Sequence, residues 1–352
     1  MSEDKRQRRR ASLGKAAGLF CAAILSVVPV AACSSSSQSS AASATSQHLT
    51  PVAITLALNP PKLSLIGFYV AKYEGFFARN GLNATLLGES TGNEAAAGNL
   101  AGDAQFSANG SDVLVSAAAA QPGSQIGVWT YSANDMALVG DSDIENYSDL
   151  RGKTVGFGDL VNPGTQMFLL ELKRNGIPES DVHFATLNGR PALVGALAAG
   201  RTNASVFHVD DYYTAVEKDP NLRIIDPFYS TIPQWWYDAV STSRAYAQAH
   251  PQVVEALLRS LLEADQWIYT HGSQTIALAA TYTGEPAPAL VKAYDYLAKA
   301  HVWMTGVGTT EADVMFTANE MYAEKQIPKV PPYSDLYDTT YVDKALSELG
   351  GQ

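Results

Sequence analysis

Val52-Ala-Ile-Thr-Leu-Ala-Leu58, Asn59-Pro60-Pro61, the stretch 65–80 and Leu82-Asn-Ala-Thr-Leu-Leu87 together set the architecture. The first and last are short apolar runs bounded by turn formers, which is how strands read. Between them Phe68, Val70, Ala71, Tyr73, Phe76 and Phe77 favour one side of a helix over 65–80, ended by Asn80-Gly81. Outward from this unit the alternation continues. A helix over 93–100 leads to a strand over 104–108 and then to Asn109-Gly110-Ser111-Asp112. Strand, loop and helix repeated in that order predict an α/β fold, a mostly parallel sheet with helices on both faces.

A second unit starts near Asn146. It reads as a strand ending at Phe157, a turn-rich loop over 159–165, a helix over 166–175, a strand over 182–187, a helix over 191–199 and a strand over 204–209. A strand over 236–243 follows. Proline near the start and apolar pairs at 253–254, 257–258, 261–262 and 267–268 predict a helix over 251–270. The tail reads as helices over 288–300 and 311–325, and no solenoid-length repeat is present.

The N-terminus has a different character. Five bases cluster within the first ten residues, and the seventeen residues 16–32 carry no charge. A basic region, a short apolar run and small residues form a secretory signal, too short to span a bilayer comfortably. Val30-Ala31-Ala32-Cys33 resembles the lipobox of bacterial lipoproteins, which implies cleavage after residue 32 and acylation of Cys33. The Ser/Ala/Gln stretch that follows cannot bury a core and reads as a tether over 33–50. Arg9-Arg10-Ala-Ser-Leu13 also resembles a twin-arginine export signal, with Ser12 where that motif prefers Phe, so the export route stays open.

Beyond residue 32 there are 18 basic and 33 acidic residues, because six of the 24 bases and two of the 35 acids lie before it. So acidic a body excludes nucleic acid as a partner, since phosphates would repel it. The two cysteines are Cys21, in the signal, and Cys33, so the mature body has neither a disulfide nor a cysteine nucleophile. The six histidines (His48, His183, His208, His250, His271 and His301) are scattered, and no GxSxG, HExxH or phosphate-loop signature occurs. These absences predict a non-enzyme without cofactor or metal.

Several segments carry a family resemblance. Gly67-Phe-Tyr-Val-Ala-Lys-Tyr-Glu-Gly-Phe-Phe-Ala-Arg-Asn-Gly-Leu82 is similar to the first-helix motif of the periplasmic binding proteins for nitrate, sulfonates, taurine and thiamine-precursor pyrimidines. Asp149-Leu-Arg-Gly-Lys-Thr-Val-Gly156, the segment 191–204 (Asn203 where Asp is usual), the segment 221–227 and Asp238-Ala-Val-Ser-Thr-Ser243 extend the likeness over roughly 52–330. The resemblance implies a periplasmic-binding-protein type II-like fold, with two α/β lobes joined by two crossings and a ligand cleft between them. It places lobe 1 at 50–145 plus 240–352 and lobe 2 at 146–239. It also implies an ABC permease and ATPase as partners, beside a small-molecule solute and the membrane reached through the N-terminal lipid.

Ligands of open α/β sheets sit beyond the carboxyl ends of strands, and helix N-termini there attract anions and carbonyl oxygens. That rule selects Asn59, Glu89 and Ser90, Asn109, Ser111 and Asp112, Asn162, Thr165 and Gln166, and Arg190 as candidate contacts. Phe68 and Tyr69 open the helix that faces the cleft in the family. Trp235 and Trp236 point opposite ways if extended, so one would wall the cleft. Arg190 could grip a carboxylate or sulfonate in two-toothed fashion, whereas Asp210, beside Asp211, could hold an amine. The function expected is solute capture for an ABC importer, the alternative being a sensor that uses the same cleft. The solute is either a nitrogen heterocycle, favoured by the aromatic and acidic candidates, or a sulfonate or nitrate-type anion.

Overall fold

The computed structural model describes residues 48–158 and 162–350. The signal, Cys33 and nearly all of the tether lie outside these residues. In chain order come β1 (Thr50–Leu56), α1 (Ile66–Tyr73), α2 (Phe76–Arg79), β2 (Leu82–Gly88), α3 (Gly92–Ala101), β3 (Phe106–Gly110), α4 (Ser111–Ala120) and β4 (Gln125–Trp129). Then follow β5 (Met136–Gly140), β6 (Thr154–Phe157), α5 (Pro163–Arg174), β7 (His183–Thr186), α6 (Arg190–Ala198), β8 (Ala204–His208), α7 (Val209–Val216) and β9 (Arg223–Pro227). The rest comprises α8 (Phe228–Thr231), β10 (Asp238–Ser243), α9 (Arg244–Ala249), α10 (Pro251–Thr270), α11 (Gly272–Tyr282), α12 (Ala287–Lys299), α13 (Glu311–Ala323), α14 (Tyr333–Leu336) and α15 (Thr340–Gly350).

The strands form two five-stranded sheets, ordered β2-β1-β3-β10-β4 and β7-β6-β8-β5-β9. Within the first, β1 runs parallel to β2 and β3, and β10 is wedged antiparallel between β3 and β4. Within the second, β6 runs parallel to β7 and β8, and β5 lies antiparallel between β8 and β9. The expectation of a mostly parallel sheet holds by strand direction, since four of the five strands in each sheet run the same way. Each sheet contains one strand delivered by a crossing from the other, and that strand runs against its neighbours. The lobe boundary, however, moves. β5 belongs to the second sheet, so the chain crosses between Trp129 and Met136 and not at 145, and it returns between Pro227 and Asp238. Ala137, Leu138 and Val139 are all fully buried. An apolar run without alternation does not announce which sheet it will join.

Local signals hold where they are strong. α10 occupies the predicted 251–270, and Val254, Leu257, Leu258, Leu261, Leu262 and Ile268 form its buried stripe. At ~1.5–3 kcal/mol per buried aliphatic side chain, this stripe is a principal anchor of the first lobe. The helix expected over 65–80 breaks in two at Gly75, which adopts φ +78°. Its left-handed conformation is the usual helix stop, a signal present in the sequence and overridden there by the apolar periodicity. α3 and α13 start with reciprocal capping boxes, Thr91 with Glu94 and Thr310 with Asp313.

α1 and α10 cross at Gly67. A Cβ placed there would lie 2.2 Å from Asp265 Oδ1, a side chain buried beneath the helix. Gly67→Ala is expected to lower stability by about 1–3 kcal/mol, the usual cost of overpacking. A urea midpoint unchanged from that of the parent would show that the helices move apart freely.

Candidate functional site

The antiparallel insertions decide where chemistry gathers. Asp238, the first residue of β10, sits opposite Gly110 at the carboxyl end of β3. Met136, the first residue of β5, sits opposite His208 at the carboxyl end of β8. Both crossings therefore deliver their side chains to the carboxyl edges of the two sheets, where open α/β sheets place ligands.

Lys62, between β1 and α1, is the centre of one cluster. Its Nζ donates to Asp238 Oδ2 at 2.6 Å and to the Tyr237 hydroxyl at 3.3 Å, lies 3.8 Å from Asp135 Oδ1, and stands 4.4 Å from the centre of the Tyr237 ring. Ser132 donates to Asp238 at 2.7 Å and Ser64 to Asp135 at 2.6 Å. His208 Nδ1 is 2.9 Å from Asp135 Oδ1 and 3.3 Å from the Tyr237 hydroxyl. Lys62, Asp135, Tyr237 and Asp238 are all at most 3% exposed.

Burial opposes the charge on Asp135, but Lys62 and His208, with the hydrogen bonds from His208 and Ser64, outweigh it and hold the carboxyl well below the usual range. Asp238 moves the other way, because burial and the charge of Asp135 outweigh the help from Lys62. The pair therefore holds negative charge unequally, with Asp135 the firmly ionised member. Burial and the neighbouring Asp135 and Asp238 push the Tyr237 phenol well up, so it remains a donor.

The second cluster starts at Arg190, the first residue of α6. Its Nε is 3.0 Å from both oxygens of Asp211, one terminal nitrogen donates to Asp210 Oδ2 at 2.6 Å, and the other donates to the Pro61 carbonyl at 3.0 Å. Glu285, between α11 and α12, is 3.6 Å from the guanidinium and accepts from Thr214. Burial, then the charges of Asp210 and Asp211, push the Glu285 carboxyl up to about 7 against the Thr214 bond and the Arg190 charge. Leu63 N–H donates to Asp210 Oδ2 at 3.0 Å. Arg190, Asp210 and Asp211 come from the second lobe and Pro61, Leu63 and Glu285 from the first, so this cluster fastens one lobe to the other.

Of the candidates read from the sequence, Arg190 and Asp210 meet each other. Arg190 is committed to Asp210 and Asp211, which corrects its expected role as a ready anchor for a sulfonate. Asn109 and Ser111 are buried at the β3–α4 turn. Asn109 Nδ2 donates to Ser107, while Ser111 takes the Tyr237 carbonyl on its N–H and the Trp236 carbonyl on its hydroxyl. Asp112 is buried in the first turn of α4. Asn162 caps α5 by accepting from Thr165 N–H at 3.0 Å, and Thr165 and Gln166 are buried behind it. These two turns face one another, since a Cβ on Gly110 would lie 3.3 Å from Pro163.

The remaining candidates stand apart. Asn59 and Ser90 are exposed and Glu89 is half-buried. Phe68 is core, edge-on to Tyr131, and Tyr69 lies against Tyr282. Trp235 and Trp236 do diverge, but both are buried. Trp235 joins the second lobe's core against Phe316, and Trp236 packs with α4 and α13 and donates to Thr130. Trp235 also lines a cavity of about 100 Å³ beside the crossings, with Asn134, Tyr229 and Thr309 among its neighbours.

Sequence reading missed Lys62, Asp135, Tyr237, Asp238 and Glu285. The one usable signal was Lys62, a cation directly after the Pro-Pro stop of β1. No metal-binding group of three His, Cys, Asp or Glu side chains occurs among the described residues, and none of their helices is long and apolar enough to cross a membrane.

Two α/β lobes, two crossings and polar side chains converging between facing carboxyl edges define the periplasmic-binding-protein fold. The family described as NMT1/THI5 like matches residues 62–275, more than half of the chain, and the chain belongs to that family. It is 25% identical over 255 residues to the taurine-binding periplasmic protein of Escherichia coli (strain K12), a match covering 68% of this chain and 78% of that protein. Among solved structures, the periplasmic aliphatic sulphonate-binding protein of Escherichia coli superposes with a TM-score of 0.68 at 18% identity, covering 83% of this chain and 98% of that one. The periplasmic nitrate-binding protein of Synechocystis PCC 6803 gives 0.68 at 11% identity, covering 86% and 90%.

Proposed function

We propose that the chain is the solute-capturing subunit of an ABC importer, working outside the cytoplasm and held to the cell membrane by lipid on Cys33. The observation carrying this reading is the convergence of charged and polar side chains from both lobes at the carboxyl edges of the two sheets, in a family whose similar members are named for binding small solutes. Capture would proceed by hinge closure about the two crossings. Two further groups support a ligand there. The amide nitrogen and oxygen of Gln166 and Asn109 Oδ1 are buried without a partner among the described residues, and buried polar atoms ordinarily find one. A solute supplying two donor hydrogens and an acceptor between the β3–α4 and β6–α5 turns would satisfy all three. Asp112, Asn162 and Thr165 would border it.

The test is a thermal-shift screen with taurine, alkanesulfonates, nitrate, thiamine, its pyrimidine precursors, riboflavin, nucleobases and simple amines. A ligand present at a thousand times its Kd stabilises the native state by ~4 kcal/mol. A clear rise in Tm with one chemical class is the expected result. Uniform silence across the panel would count against solute capture.

A further inference from the structure

We propose that the solute is a net-cationic organic amine, whose ammonium group seats between Asp210 and Glu285 where the lobes meet. This rests on the solute-capture reading above and names its substrate class. The first support is the charge of the two joined clusters. Lys62 and Arg190 supply two positive charges against Asp135, Asp210, Asp211 and Asp238, before Glu285 is counted. Counting His208 as protonated still leaves an excess of acid. Carboxyl groups crowded in a desolvated interior are costly to ionise, and a cation entering the cleft favours their ionised form.

The second support is geometric. Asp210 is 1% exposed, its Oδ2 already takes Leu63 N–H and Arg190, and its Oδ1 has no partner among the described residues. The third is that the structure already contains an ammonium ion held by this chemistry. The Lys62 Nζ rests against a carboxylate, a phenol hydroxyl and the face of the Tyr237 ring, the combination that holds organic cations elsewhere. An anion would meet the reverse, because both basic side chains of the clusters are already bound to carboxylates.

The experiment is calorimetric titration of the intact protein with two matched sets: benzylamine, benzyl alcohol and phenylmethanesulfonate, then butylamine, butanol and butane-1-sulfonate, with taurine as the zwitterion. In at least one set the amine is expected to bind at least tenfold tighter than its alcohol and its sulfonate, and tighter than taurine. Glu285→Gln, a change at the margin of the cluster that leaves the fold its shape, should weaken amine binding at least tenfold. Asp210→Asn should do the same if the variant folds. Amines that bind no better than the alcohols overturn the proposal. Sulfonate or taurine binding without amine binding also overturns it while leaving solute capture standing. If no member of these sets and none of the earlier panel binds, both readings fall.

Discussion

Lys62→Met is expected to destabilise the protein by about 3–5 kcal/mol, the usual result of removing one partner from a buried ion pair. Met fills similar space, so the loss is electrical and not one of packing. Asp238 would keep Ser132 and Asp135 would keep Ser64 and His208, but neither would retain a lysine cation beside it. The diagnostic measurement is a double variant. Asp238→Asn placed on Lys62→Met removes the stranded charge and should recover part of the lost stability in urea unfolding. A single variant within 1 kcal/mol of the parent would mean that water reaches the cluster freely, and the desolvated description would be abandoned.

Arg190→Leu should have a comparable effect, again about 3–5 kcal/mol, with a different outward sign. The guanidinium bonds to Asp210 and Asp211 in its own lobe and reaches the Pro61 carbonyl and Glu285 in the other. Its loss removes the guanidinium link across the lobes, leaving the Leu63–Asp210 and Thr214–Glu285 bonds, and sets three carboxyl groups facing one another. The lobes should therefore swing apart, raising the radius of gyration in solution scattering while the two sheets stay folded. An unchanged scattering profile together with a large loss of stability would assign Arg190 to the second lobe's interior alone.

The fold was legible wherever a local rule was strong. Proline followed by paired apolar positions gave α10 its observed limits, and the strand–stop–helix–strand order around 52–87 gave the α/β class. The antiparallel insertions of β5 and β10 were not legible, because strand direction within a sheet is a property of the crossings and leaves no mark in the side-chain pattern. The candidate site divides along the same line. The turns carrying Asn109, Ser111, Asn162 and Gln166 follow strands, so the strand-end rule found them. Asp135, Tyr237 and Asp238 lie where the crossings end, and Glu285 lies between two helices, so no strand-end rule reaches them. Arg190 and Asp210 were singled out as rival anchors for ligands of opposite charge. They are twenty positions apart, and only the packing of α6 against α7 makes them each other's partner.

The placement of β10 also dictates an order of assembly. Among the described residues β4 pairs with no strand but β10, so it ends at Trp129 and then waits more than a hundred residues for the neighbour that starts at Asp238. The second sheet has no such delay, since all its strands lie between Met136 and Pro227. Closing long loops is what slows folding, so the second lobe can finish while the first still has an open sheet edge. Unpaired edges invite aggregation. A chain that folds as it emerges therefore passes through a stage at which the sheet edge at β4 is the vulnerable part, protected only once Ser243 has arrived.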